Sequence, residues 1–153
     1  MRLIALIIVS ALLAPLPAKA GSEFGAREEA VAMVKRVQEM FAEKGVDATF
    51  KAVDDKNNKE FHDRDLYPFI LDFKGIWVAH GVRPELIGKN AFDLKDQDGT
   101  YYVRKMIDIT ENGGTGWVDY KWPNPLTHKI EDKSAYVAKL GENYFVGVGV
   151  YSR

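Results

Sequence analysis

Between Gly116 and Tyr136 the chain reads GWVDYKWPNPLTHKIEDKSAY, and its side chains alternate in character. Trp117, Asp119 and Lys121 fall on one face of an extended segment, and Val118, Tyr120 and Trp122 on the other. Pro123-Asn124-Pro125 ends the strand, because neither proline can donate to a ladder and the second proline biases Asn124 away from the helical region. A second extended run returns through Tyr136 and Val137, and Asn124, His128 and Lys133 lie on the way to it. This pattern commits the chain to a sheet and leaves two readings of its aromatic face. Polar-tipped rings beside a fixed turn and a lysine could line a small polar pocket, or the rings could simply be core.

The rest of the chain supplies the partners of that sheet. Glu23 to Lys44 reads as a helix: Ala30, Val31, Val34, Val37, Met40 and Phe41 recur at three- and four-residue spacing. Glu28, Lys35, Glu39 and Glu43 take its other face, with Ser22 as the expected cap and Gly45 as the stop. A short helix is expected over 47–53, then a solvated loop of acids, amides and lysines. Residues 65–72 and 76–80 read as two strands joined at Lys74-Gly75, a hairpin. Residues 82–92 are mostly loop, and Asp96 to Gly99 forms a turn that caps the next element. Thr100 to Thr110 is an amphipathic helix with Tyr101, Val103, Met106 and Ile107 turned inward. Strands over 115–122, 131–140 and 144–151 complete a meander. In the last of them Gly147 and Gly149 leave one face bare, which predicts close approach of another backbone or a ligand. The sum is an α+β fold: a five-stranded antiparallel sheet, a long N-terminal helix and short helices on one side.

Residues 1–20 have the composition of a secretory signal peptide. Arg2 precedes an apolar run from Leu3 to Leu13, and Ala18-Lys19-Ala20 matches a cleavage site. The expected product is one domain, residues 21–153, released to a bacterial periplasm, with no later run of membrane-spanning length. The formal net charge of the whole chain is −1, and loss of Arg2 and Lys19 makes the remainder more acidic. That balance argues against nucleic acid and anionic membrane as partners. With no cysteine there is neither a disulfide framework nor thiol chemistry.

Four segments in order, GIWVAHGVRPELIGKN (75–90), LKDQDGTYYVRKMID (94–108), GTGWVDYKWPNPLTHKIEDKSAYV (114–137) and YFVGVGVY (144–151), resemble the bacterial single Cache domains of type 2. The resemblance implies a PAS-like sheet packed on the N-terminal helix, with a small-molecule pocket between sheet and crossover. It implies small organic acids, amino acids or related metabolites as ligands. Most members of this family sit between the membrane helices of chemoreceptors or histidine kinases. This sequence shows no apolar span after its last strand and no output module. The expectation is therefore a periplasmic binding module, or an accessory protein that docks on a membrane receptor or kinase. A homodimer through the N-terminal helix is a further expectation.

Candidate ligand-binding residues follow from chemistry and position. His80, at a strand end beside Gly81, could hydrogen-bond a carboxylate and would titrate near neutrality. Lys133 could supply the positive charge that a small acid needs. Tyr120, Trp122 and Tyr136 could form walls with polar tips. Arg104 would offer a second fork to a dicarboxylate, with Arg83 and Tyr102 as lesser candidates. Each has a plain structural alternative as a core ring, a satisfied histidine or a solvated cation. His62, His80 and His128 share no metal-ligand spacing, and Asp96-x-Asp98-Gly99 fails as a calcium loop at its first and twelfth positions, Leu94 and Lys105. The sequence carries no nucleophile or metalloprotease signature and no phosphate-binding loop. Neither an enzyme nor a cofactor is expected.

Overall fold

The computed structural model describes residues 22–152; the expected leader lies outside the described residues. Helix α1 spans Arg27–Asp54. Ser22 does not cap it. The preceding residue, Ala26, is extended and its N–H donates to the Glu29 carboxylate at 2.7 Å, so the helix starts later than the capping pattern predicts. Gly45 is the stop that the sequence predicts. Gly45 takes φ 79°, ψ −175° and kinks the helix, and Thr49 donates its hydroxyl to the Gly45 carbonyl oxygen at 2.8 Å on the far side. The two expected helices are thus both present, joined without a loop at the non-helical Gly45, and α1 denotes the pair.

Strands β1 (Pro68–Asp72) and β2 (Trp77–His80) form the expected hairpin. The Asp72 carboxylate accepts the N–H groups of Lys74 and Ile76, and Gly75 supplies the positive φ that the turn needs. A crossover with one 3-10 turn, Pro84–Leu86, leads to helix α2, Tyr102–Thr110. Asp96 does not cap α2. Its carboxylate accepts the N–H groups of Asp98 and Thr100 within its own turn and that of Lys121 on the sheet edge at 2.8 Å. Tyr102, not Tyr101, joins the buried face of α2. Strands β3 (Thr115–Pro123), β4 (Ile130–Leu140) and β5 (Tyr144–Tyr151) are the predicted meander.

All pairings are antiparallel and the strand order is β2-β1-β5-β4-β3. The first hairpin therefore docks beside the last strand, which places β5 at the centre. One sheet face, with Ile70, Ala138, Leu140, Val146 and Val148, packs on Met33, Val34 and Val37 of α1. The other, with Phe69, Val118, Tyr120, Ala135 and Phe145, lies under α2 and the crossover through Val103 and Met106. The buried part of the α1 stripe, Ala30, Met33, Val34 and Val37, packs on the sheet.

Candidate ligand-binding site

The polar side chains gather on the α2 face of the sheet. Tyr67, just before β1, and His80, at the end of β2, have ring centroids 5.3 Å apart, and Trp77 lies 5.2 Å from His80. Trp77 and His80 are an odd number of residues apart, yet they share a face. The register slips between Ile70 and Leu71, so that Leu71 faces Trp77 while Ile70 faces Ala79, and this bulge restores the alignment. From the other edge, Trp122 reaches within 6.0 Å of Trp77 and 6.3 Å of His80. Tyr102 of α2 stacks on Tyr120 at 4.9 Å and 12°. Arg83 lies 5.6 Å above the Trp122 ring, and its Nε donates to Glu85 at 2.8 Å.

Lys133 enters this group from β4 and is 1% exposed. Its Nζ lies 2.8 Å from the Tyr67 hydroxyl and 4.2 Å, 5.1 Å and 5.5 Å from the ring centroids of Tyr67, Tyr151 and Phe69. The hydrogen-bond chain has a fixed direction. Tyr151 donates its only hydroxyl hydrogen to the Pro123 carbonyl oxygen at 2.9 Å. The 3.1 Å bond between the two hydroxyls must then be donated by Tyr67, whose oxygen accepts from Lys133. Among the described residues Lys133 has no carboxylate at ion-pair distance. Burial pulls its pKa down to about 7, against an upward pull from Asp65 acting through space. Burial raises Tyr67 and Tyr102 to about 12, and both phenols stay neutral.

His80 is also buried, and its Nδ1 accepts the N–H groups of Val82 at 3.3 Å and Arg83 at 3.1 Å. The ring hydrogen therefore belongs on Nε2. Burial, then the charges of Lys133 and Arg83, hold the pKa well below the usual histidine range. The expectation of titration near neutrality is thus replaced by a neutral donor. The His80 backbone N–H donates to the Asp54 carboxylate at 2.9 Å, tying the end of α1 to the site. Asn124 fixes the Pro-Asn-Pro turn: its side chain accepts from the Leu126 N–H and donates to Glu131, both at 2.8 Å. Between that turn, Val82, Arg83 and the exposed His128 lies a cleft of about 320 Å³.

Of the expected residues, the structure brings together His80, Tyr120, Trp122 and Lys133, with Tyr102 and Arg83. It does not bring in Tyr136 or Arg104. Tyr136 lies three positions from Lys133, so strand parity turns it to the α1 face, where it packs 5.4 Å from Trp117. Arg104 lies on the outer side of α2, donating to the Phe92 carbonyl oxygen at 3.2 Å and paired with Asp93. Sequence reasoning missed Tyr67, Trp77 and Tyr151. Tyr151 was within reach, since it continues the face that Gly147 and Gly149 leave bare. Trp77 was not, because the bulge has no sequence signature.

The fold is shared with a solved periplasmic sensor domain of a chemotaxis protein and with a solved Cache chemosensory domain. The chain belongs to the class of single Cache domains, in the single Cache domain 2 family, whose model matches residues 26–153. Such domains are found in chemoreceptors and histidine kinases, where they sense ligands. Over 89 residues, 58% of this chain, it is 36% identical to sensor histidine kinase MctS of Rhizobium johnstonii. Over 91 residues, 59% of the chain, it is 26% identical to methyl-accepting chemotaxis protein McpP of Pseudomonas putida. The matched parts are 19% and 17% of those proteins, so the chain spans about a fifth of their length. A methyl-accepting chemotaxis protein structure from Vibrio parahaemolyticus superposes with a TM-score of 0.63 at 26% identity, covering 81% of this chain and 82% of that one. A Cache chemosensory domain solved for carboxylic acid recognition has a TM-score of 0.63 at 23% identity over 82% and 88% of the two chains, a likeness of fold. No helix among the described residues is long and apolar enough to cross a membrane.

Proposed function

We propose that this chain binds a small monocarboxylate on the α2 face of its sheet and serves as the extracytoplasmic sensing part of a signalling system. The observation that carries this reading is Lys133, a buried amine that among the described residues has no carboxylate partner and spends one donor, on Tyr67. An anion is the partner that such a group lacks. The neutral His80 Nε2–H supplies a second donor, and Trp77, Trp122 and Tyr120 supply apolar walls. A monocarboxylate fits better than a dicarboxylate, because Arg83 is paired with Glu85 and Arg104 is held outside by Asp93. The chemistry is recognition, with no step of bond making.

A thermal-shift screen of the purified protein against acetate, propionate, pyruvate, succinate and amino acids tests this. Short monocarboxylates should raise the melting temperature, since a ligand that binds only the native state must stabilise it. A stronger response to succinate than to propionate would overturn the monocarboxylate assignment. Silence from all of them would favour the accessory role through protein contacts.

A further inference from the structure

We propose that Gly149 is the positioning residue of this site: its missing side chain is what lets Lys133 lie across β5 and deliver its amine to Tyr67. The inference rests on the proposed anion site but is argued from the sheet itself. Lys133 belongs to β4 and Tyr67 precedes β1, and β5 runs between those two strands. Two strand spacings, about 10 Å, separate β4 from β1. A side chain that bridges them has to lie flat on the intervening strand instead of standing off the sheet.

Strand β5 is built to be crossed there. On the α2 face it presents Gly147 and Gly149 in succession, and Ala135 of β4 is the register partner of Gly149. A Cβ at 149 would overlap Lys133 Cε and stand 2.9 Å and 3.0 Å from its Cγ and Cδ. A Cβ at 147 would likewise strike the Phe69 ring, which leans in from β1. Neither glycine needs a positive φ; both are bare to admit a neighbour's side chain. The sequence pattern called for close approach of a backbone or a ligand, and what approaches is a lysine stem and a phenyl ring. The two meet over the centre of the sheet, where the Lys133 amine stands 5.5 Å from the Phe69 ring.

With a methyl group at 149 the lysine stem would have to rise off β5. The amine would then leave the Tyr67 hydroxyl and lose the height at which it meets a ligand. Lysine at 133 and glycine at 149 are therefore one device, and a chain with a side chain at 149 cannot hold its lysine in this place.

The test is a double-mutant cycle in the full chain: Gly149→Ala and Lys133→Ala, singly and together, read by propionate calorimetry and by melting temperature. Gly149→Ala should weaken propionate binding tenfold or more where Lys133 is present and add nothing in the Lys133→Ala background. Its melting temperature should fall in the first background and hold in the second. Equal losses in both backgrounds would overturn the proposal, since the glycine would then matter for β5 alone. Should Gly149→Ala fail to fold, folding of the double variant supports the proposal and its failure overturns it. If the parent binds neither propionate nor another short monocarboxylate, the anion reading fails, and the melting cycle still decides the role of Gly149.

Discussion

At the residue scale the protein turns on one amine. Lys133 donates into a chain that runs through Tyr67 and Tyr151 to the Pro123 carbonyl oxygen, so the Tyr67 oxygen is closed to a ligand and the remaining Lys133 donors are not. A hydrogen bond to a charged group contributes roughly 1.5–3 kcal/mol. Lys133→Met should therefore weaken monocarboxylate binding by about one to two decades in calorimetry with the fold kept. The pH dependence has a definite sign. In the folded chain Lys133 loses its proton at about 7, and in the unfolded chain near the ordinary 10.5. Between those values the unfolded chain holds the extra proton. This group's contribution to stability thus rises with pH across that window, by up to about 1.4 kcal/mol per unit, and is lost as pH falls through 7. Urea melts at pH 7 and pH 9 should differ in the parent by more than in Lys133→Met. Ligand affinity should run the other way, falling above pH 7 in the parent and staying flat in the variant, because the anion needs the protonated amine.

At the scale of elements, α1 and the meander were legible because their patterns are local. The α1 stripe repeats every three or four residues, and Ala30, Val34 and Val37 are buried where that repeat puts them, with Met33 joining them. Val34→Asp should place an unpaired charge against the sheet and cost several kcal/mol, seen as a large drop in the denaturation midpoint. An unchanged midpoint would mean that this face of α1 is not packed. The helix start was less legible, since Glu29 accepts the Ala26 N–H in place of a Ser22 cap, whereas Gly45 breaks the helical backbone where the sequence put a stop. The site residues divide along the same line. Tyr120 and Trp122 could be placed together because they are two apart on one strand. Lys133 and Tyr136 could not share a face, and their odd spacing already said so. Trp77 and His80 do share one, and only the slip in β1 pairing makes it so.

For the whole molecule, the chain belongs to a family of sensor domains, and its proposed place is outside the cytoplasm, reached after cleavage behind Ala20. Intact mass of the exported protein should begin at Gly21; recovery only in membranes with residues 1–20 retained would overturn that. By itself the sequence determined the strand and helix periods, the two sheet faces and the stock of polar-tipped rings, all of which follow from side chains a few residues apart. Only the tertiary structure decided which strands lie side by side. Docking the first hairpin against the last strand put β5 in the middle, set Tyr67 across it from Lys133, and left Arg104 outside. The reason is that lateral strand order and register are fixed by burial summed over the whole sheet, and no short window of the chain carries that sum.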